Sequence, residues 1–133
     1  MKVLHWDESL GVQVEEIDED HRRLVELFNI LNRSVADGDA ADYIEAVLEE
    51  LLSCTIWHFR HEERLMLKHA YEGLLEHKAE HQELIESAKE LQQKFMQEGR
   101  SLSSEDIEFL ERWLIGHILG ADMEMGSYLC EVM

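Results

Sequence analysis

Residues 55–66 read Thr55-Ile56-Trp57-His58-Phe59-Arg60-His61-Glu62-Glu63-Arg64-Leu65-Met66. The inward stripe of the helix through this stretch steps by three and four residues: Ile44, Val47 or Leu48, Leu51, Thr55, His58, Glu62, Leu65. That period marks a helix face turned toward a core. His58 and Glu62 therefore stand where leucine is expected. An imidazole and a carboxylate are costly to bury unless something compensates them.

The same anomaly recurs in three more predicted helices. The first covers residues 19–36, with Asp18 as its cap and the seam Ile17, His21, Leu24, Phe28, Leu31, Val35. The second, which holds the quoted stretch, covers residues 40–68 with Asp39 as its cap. The third covers residues 74–97, with the seam Leu74, His77, His81, Leu84, Ala88, Leu91, Phe95 and Gly99 as a stop. The fourth covers residues 105–121, capped by Ser103 or Ser104, with the seam Ile107, Leu110, Leu114, His117, Ala121.

Short links join these helices, so the expected fold is all-α: an up-down-up-down four-helix bundle in a single domain spanning residues 1–133. Residues 1–17 form an N-terminal arm that Trp6, Val12, Val14 and Ile17 tack onto the bundle of residues 18–121. Residues 122–133 are expected to pack back as a short C-terminal helix through Met123, Met125, Tyr128, Leu129 and Val132. Proline is absent, which leaves long helices unbroken.

Thirty acidic residues against twelve basic ones give a formal charge of −18. Such a surface repels phosphate backbones and anionic lipid, so no nucleic-acid partner and no membrane insertion are expected. No apolar run approaches the ~18 residues of a membrane span, and the start lacks a secretory apolar core. The default location is cytoplasmic. Cys54 and Cys130 are too few, and wrongly spaced, for a disulfide scaffold, and are expected as free thiols. The self-repelling charge favours a monomer.

Seven polar residues sit on the four seams or at their end: His21, His58, Glu62, His77, His81, His117 and Asp122. No lysine or arginine lies on these stripes to pair the acids. His58 with Glu62, and His77 with His81, are four apart, which stacks each pair about 6 Å apart at the β-carbons. His117 and Asp122 are five apart, roughly 140° around an ideal helix. Either the helix widens there, with Gly120 permitting it, or Asp122 lies beyond the last regular turn.

Seven imidazole and carboxylate donors exceed one tetrahedral zinc and suit two six-coordinate ions sharing carboxylates. No cysteine stands on a seam, which argues against structural zinc and iron–sulfur clusters. Two iron ions are the best match. Zincin proteases need HExxH, but His61-Glu62 is followed at the required place by Leu65. Ferritin-like di-iron proteins use ExxH twice, and no histidine here has Glu three residues before it. His61 is expected on the surface, because Glu62 already completes the pair with His58.

The segments IDEDHRRL (17–24), WHFRHEERLM (57–66), EHKAEHQEL (76–84) and WLIGHILGAD (113–122) resemble, in order and spacing, those of bacterial hemerythrins. The resemblance implies a non-haem di-iron centre that binds dioxygen reversibly. It implies Glu62 and Asp122 as bridging carboxylates, with His77, His81 and His117 on one iron. His21 and His58 fall on the other, which keeps an open position, and an oxo or hydroxo group is the third bridge. Trp113, Leu114 and Ile118 would line the oxygen site; Phe59, next to His58, is expected to extend the same apolar wall.

The expected function is an oxygen carrier, store or delivery protein, with dioxygen as ligand, an oxygen-consuming protein as recipient, and no catalytic residues. A histidine-rich site stabilises high-valent iron less than a carboxylate-rich one, which favours reversible binding. The alternatives from other classes are a di-iron oxidase or peroxidase, and iron storage or detoxification.

Overall fold

In the computed structural model, residues 3–97 and 99–133 are described; the first two residues of the predicted arm lie outside them. The helices are α1 (Glu15–Ala36), α2 (Ala41–Lys68), α3 (Leu74–Gln97), α4 (Ser104–His117) and α5 (Met123–Val132). A short 3₁₀ turn, Glu8–Leu10, precedes α1, and a π-helical segment, Ile118–Asp122, joins α4 to α5. Among the described residues there is no strand, and no helix is long and apolar enough to cross a membrane.

The seams converge on one core, in which Phe28, Leu31, Leu48, Leu91, Phe95 and Leu110 are buried. The antiparallel course explains why the polar positions meet. His21 lies near the start of α1, His58 and Glu62 near the end of α2, His77 and His81 near the start of α3, and His117 at the end of α4. An up-down-up-down bundle brings these four ends together.

Three expectations about helix ends are corrected. α1 begins at Glu15 rather than residue 19, and its N-cap is Val14, not Asp18. The buried Asp18 carboxylate instead accepts the Val12 N–H at 2.8 Å, which staples the arm to α1. Asp39 does not cap α2, whose N-cap is Ala40 without a side-chain bond. The Asp39 N–H already bonds the Ser34 carbonyl at 3.0 Å, so Asp39 closes α1 rather than opening α2. At α4 the expected cap is present: Ser103 and Asp106 form a reciprocal capping box.

The C-terminal helix is the third correction. It does not pack back but continues α4, because His117, Ile118, Asp122 and Met123 all keep right-handed helical dihedrals. The π turn absorbs one extra residue, so no break is needed.

The arm lies against this extension. Leu10, Val12, Val14 and Ile17 are buried, and a Cβ at Gly126 on α5 would collide with the Val12 carbonyl. Asn29 fixes the arm's outer part by accepting the Leu4 N–H at 2.9 Å and donating to its carbonyl at 2.7 Å. On α5, Tyr128 donates its hydroxyl to the His69 carbonyl at 2.5 Å, which pins the α2–α3 link. Cys54 and Cys130 are both free thiols.

Candidate metal centre

All seven polar seam residues converge on one buried point, in two overlapping groups. In the first group, His77 Nε2 lies 3.0 Å from Asp122 Oδ1 and 3.3 Å from Glu62 Oε1. His81 Nε2 lies 2.9 Å from Glu62 Oε1, and His117 Nε2 lies 2.9 Å from Asp122 Oδ1. In the second group, His21 Nε2 lies 2.9 Å from Asp122 Oδ2, and His58 Nε2 lies 3.0 Å from Glu62 Oε2. Glu62 thus turns Oε1 toward His77, His81 and His117 and Oε2 toward His21 and His58, whereas Asp122 turns Oδ1 toward His77 and His117 and Oδ2 toward His21.

The π turn makes this possible for Asp122. Its ring closes with the Met123 N–H on the Ile118 carbonyl, a bond across five residues rather than four. Widened in this way, the helix presents Asp122 on the same face as His117. Of the two alternatives open in the sequence, local widening is the one observed.

The outer nitrogens of three of these rings are also bound. His58 Nδ1 lies 2.8 Å from Asp20 Oδ2, His81 Nδ1 2.8 Å from Glu63 Oε2, and His117 Nδ1 2.9 Å from Glu80 Oε1. A carboxylate on Nδ1–H selects the tautomer whose Nε2 lone pair points inward. The sequence reading missed all three acids. Their common signal is position: each stands next to one of the seven on its own helix and serves a histidine on the following helix.

His61 is a further correction. Expected on the surface, it is 9% exposed and held between Asp20 Oδ2 at 2.6 Å and Glu16 Oε1 at 2.7 Å. The packing of α1 against α2 brings two acids of α1 over it, which no feature of α2 alone reveals. His5 is exposed, and His69 contributes its backbone carbonyl to Tyr128.

Charge is concentrated at the centre. Burial lowers the proton affinity of His58, but the Glu62 charge and the Asp20 hydrogen bond outweigh it and raise its pKa to about 10. Burial opposes protonation of His77 and His117 as well, and contacts with Asp122 and Glu62 lift them to about 9 and about 11. Burial acts to raise Glu62 and Asp122, yet the surrounding imidazoles hold both carboxyl groups below the usual carboxylate range.

Protons alone do not satisfy this cluster. His21 Nδ1 and Nε2, His58 Nε2, Glu62 Oε2, and both Asp122 oxygens are buried without an aligned hydrogen-bond partner. Buried polar atoms are rarely left so, and a concentration of them at one point calls for a bound species. Inward lone pairs on nitrogen and carboxylate oxygen fit cations of intermediate hardness such as iron.

The model of the Hemerythrin HHE cation binding domain matches residues 12–129. The chain belongs to the hemerythrin family. A bacteriohemerythrin of Stenotrophomonas maltophilia (strain R551-3) is 34% identical over 122 residues, which cover 92% of this chain and 78% of that one. A hemerythrin-like protein of Naegleria gruberi is 30% identical over 94% of this chain and 92% of its own. A crystal structure of wild-type hemerythrin superposes with a TM-score of 0.87 at 29% identity, covering 97% of this chain and 99% of that chain. Membership of the hemerythrin family implies non-haem iron binding, and the donors of this hemerythrin domain fit that metal.

A small cavity adjoins the cluster, with about 10 Å³ open to the centre of a water-sized molecule. Its wall holds His21 and His58 from the two-histidine group but only His117 from the other. Phe59, Trp113, Leu114 and Ile118, the expected apolar residues, all line it. Leu24, Thr55 and Leu84 line it as well and were not anticipated. Phe59 also stacks on His81, with ring centroids 3.8 Å apart.

Proposed function

We propose that this chain binds dioxygen reversibly at a pair of non-haem iron ions and acts as an oxygen carrier, store or delivery protein. His77, His81 and His117 would hold one ion, and His21 and His58 the other. Glu62 and Asp122 would span both, with an oxo or hydroxo group as the remaining bridge. The iron pair would supply the reversible two-electron chemistry that dioxygen binding needs.

The observation that carries this reading is the cavity on the two-histidine side. Space for about one water-sized centre suits a diatomic guest and excludes an organic substrate from the same place. The indole and hydroxyl hydrogens of the wall are already engaged. The Trp113 indole N–H donates to the Leu84 carbonyl at 2.9 Å, and the Thr55 hydroxyl donates to the Leu51 carbonyl at 2.7 Å. A largely apolar wall whose Trp113 and Thr55 hydrogens are engaged slows proton delivery, which favours release of the guest unchanged. For that reason the chain is proposed as a binder and not an enzyme. Its charge of −18 favours a monomer, and a cytoplasmic place and delivery to an oxygen-consuming protein complete the proposal.

Optical spectroscopy with iron analysis tests the proposal. The expected result is two irons per chain and a nearly colourless reduced protein. It should gain a visible ligand-to-metal absorption band in air and lose it under vacuum. A band that forms irreversibly, or steady turnover of an organic reductant, would overturn it in favour of an oxidase.

A further inference from the structure

Of the three histidines whose outer nitrogen meets a carboxylate, His58 is held differently. Glu63 behind His81 and Glu80 behind His117 have side chains 23% and 42% exposed, whereas that of Asp20 is 14% exposed. Asp20 Oδ2 serves two rings, His58 Nδ1 at 2.8 Å and His61 Nδ1 at 2.6 Å. The other nitrogen of His61 lies 2.7 Å from Glu16 Oε1.

Helical spacing explains the arrangement. Glu16 and Asp20 are four apart on α1, and His58 and His61 are three apart on α2, so each pair shares a face. Two acids of one helix grip two imidazoles of the next. Trp57 closes over the outside, its ring centroid 5.5 Å from that of His61.

We propose that Asp20 and His61 are positioning residues for the metal ion on the cavity side. Asp20 accepts the Nδ1–H of His58, so the Nε2 lone pair faces the centre and the ring becomes a stronger donor. His61, anchored by Glu16, keeps the Asp20 carboxylate at that station. The three-histidine side has no equivalent string among the described residues. The string therefore acts on one ion of the pair, the one both of whose histidines, His21 and His58, line the cavity. Its consequence for oxygen rests on the function proposed above; the positioning itself is tested without oxygen or iron.

The test is a two-step cobalt(II) titration of the full metal-free chain, followed optically, with nitrogen NMR of the zinc-loaded protein. Asp20→Asn and His61→Leu are expected to weaken the second equivalent about 10- to 100-fold and leave the first unchanged. His61→Gln keeps a donor to Asp20 and is expected to restore most of the loss, which separates positioning from simple packing. The protected Nδ1–H signal of His58 in zinc-loaded wild type should vanish in Asp20→Ala, which leaves that nitrogen without its acceptor. Equal weakening of both equivalents, or of neither, with the His58 signal intact, would overturn the inference. If the wild type takes up a single equivalent, the two-metal reading is what fails, and the NMR arm still decides the role of Asp20.

Discussion

His117 and Asp122 are five residues apart, yet His117 Nε2 lies 2.9 Å from Asp122 Oδ1. A regular α-helix would point them about 140° apart. The π turn at Ile118–Asp122 removes that divergence. Inserting one alanine after Gly120 would turn Asp122 by about a further 100°. We expect the insertion to abolish loading of two irons while helical content by circular dichroism is kept. Deleting Gly120 makes the two residues an ordinary pair four apart, and should cost less metal affinity than the insertion. Equal losses would show that the turn does more than aim Asp122.

Leu114 lines the cavity beside His117 and is itself buried. Leu114→Ala would open the wall to water. Water brings the proton that the Trp113 and Thr55 hydrogens, already engaged, do not supply. The oxygenated protein is expected to autoxidise several-fold faster, read from the decay of its visible band. An unchanged rate would remove Leu114 from the barrier.

The metal-free chain should have a defined pH window of stability. His58, His77 and His117 have pKa values raised from 6.5 to about 10, about 9 and about 11. Their contribution is fully present below 6.5 and is lost as pH rises toward those values. The Glu62 and Asp122 carboxyls are lowered, so theirs is present above the ordinary values of 4.5 and 3.8 and is lost as pH falls further. The melting temperature of the metal-free protein should therefore be highest between pH 4.5 and 6.5 and decline toward pH 10. Metal must displace the same protons, so loading releases acid and tightens over the pH range in which metal-free stability falls. Calorimetry with and without zinc checks both halves.

Two glycines of similar appearance in the sequence should respond oppositely to alanine. A Cβ at Gly126 would meet the Val12 backbone, whereas one at Gly116 on α4 meets nothing within 4 Å. Gly126→Ala is expected to lose about 1–3 kcal/mol by dislodging the arm. Gly116→Ala should gain about 0.5–1 kcal/mol through helix propensity. Urea denaturation monitored by circular dichroism measures both.

Much of the bundle could be read in advance because its determinants are local. The seam through Leu51, Thr55, His58, Glu62 and Leu65 repeats at the pitch of a helix, and every member is buried. Asp20, Glu63 and Glu80 escaped notice because each looks like a solvated acid on its own helix. Its partner lies on the next one, and only the mutual rotation of neighbouring helices decides whether the two meet.

The linear order of residues determined four amphipathic helices and placed seven side chains able to bind metal where apolar ones belong, since period and chemistry act over one or two turns. Tertiary packing decided the rest. It set which oxygen of Glu62 and of Asp122 faces which histidines, the burial of His61 beneath Glu16 and Asp20, and the docking of the arm on Gly126. Those features depend on side chains brought together from different helices, whose separation along the chain carries no trace of their distance in the fold.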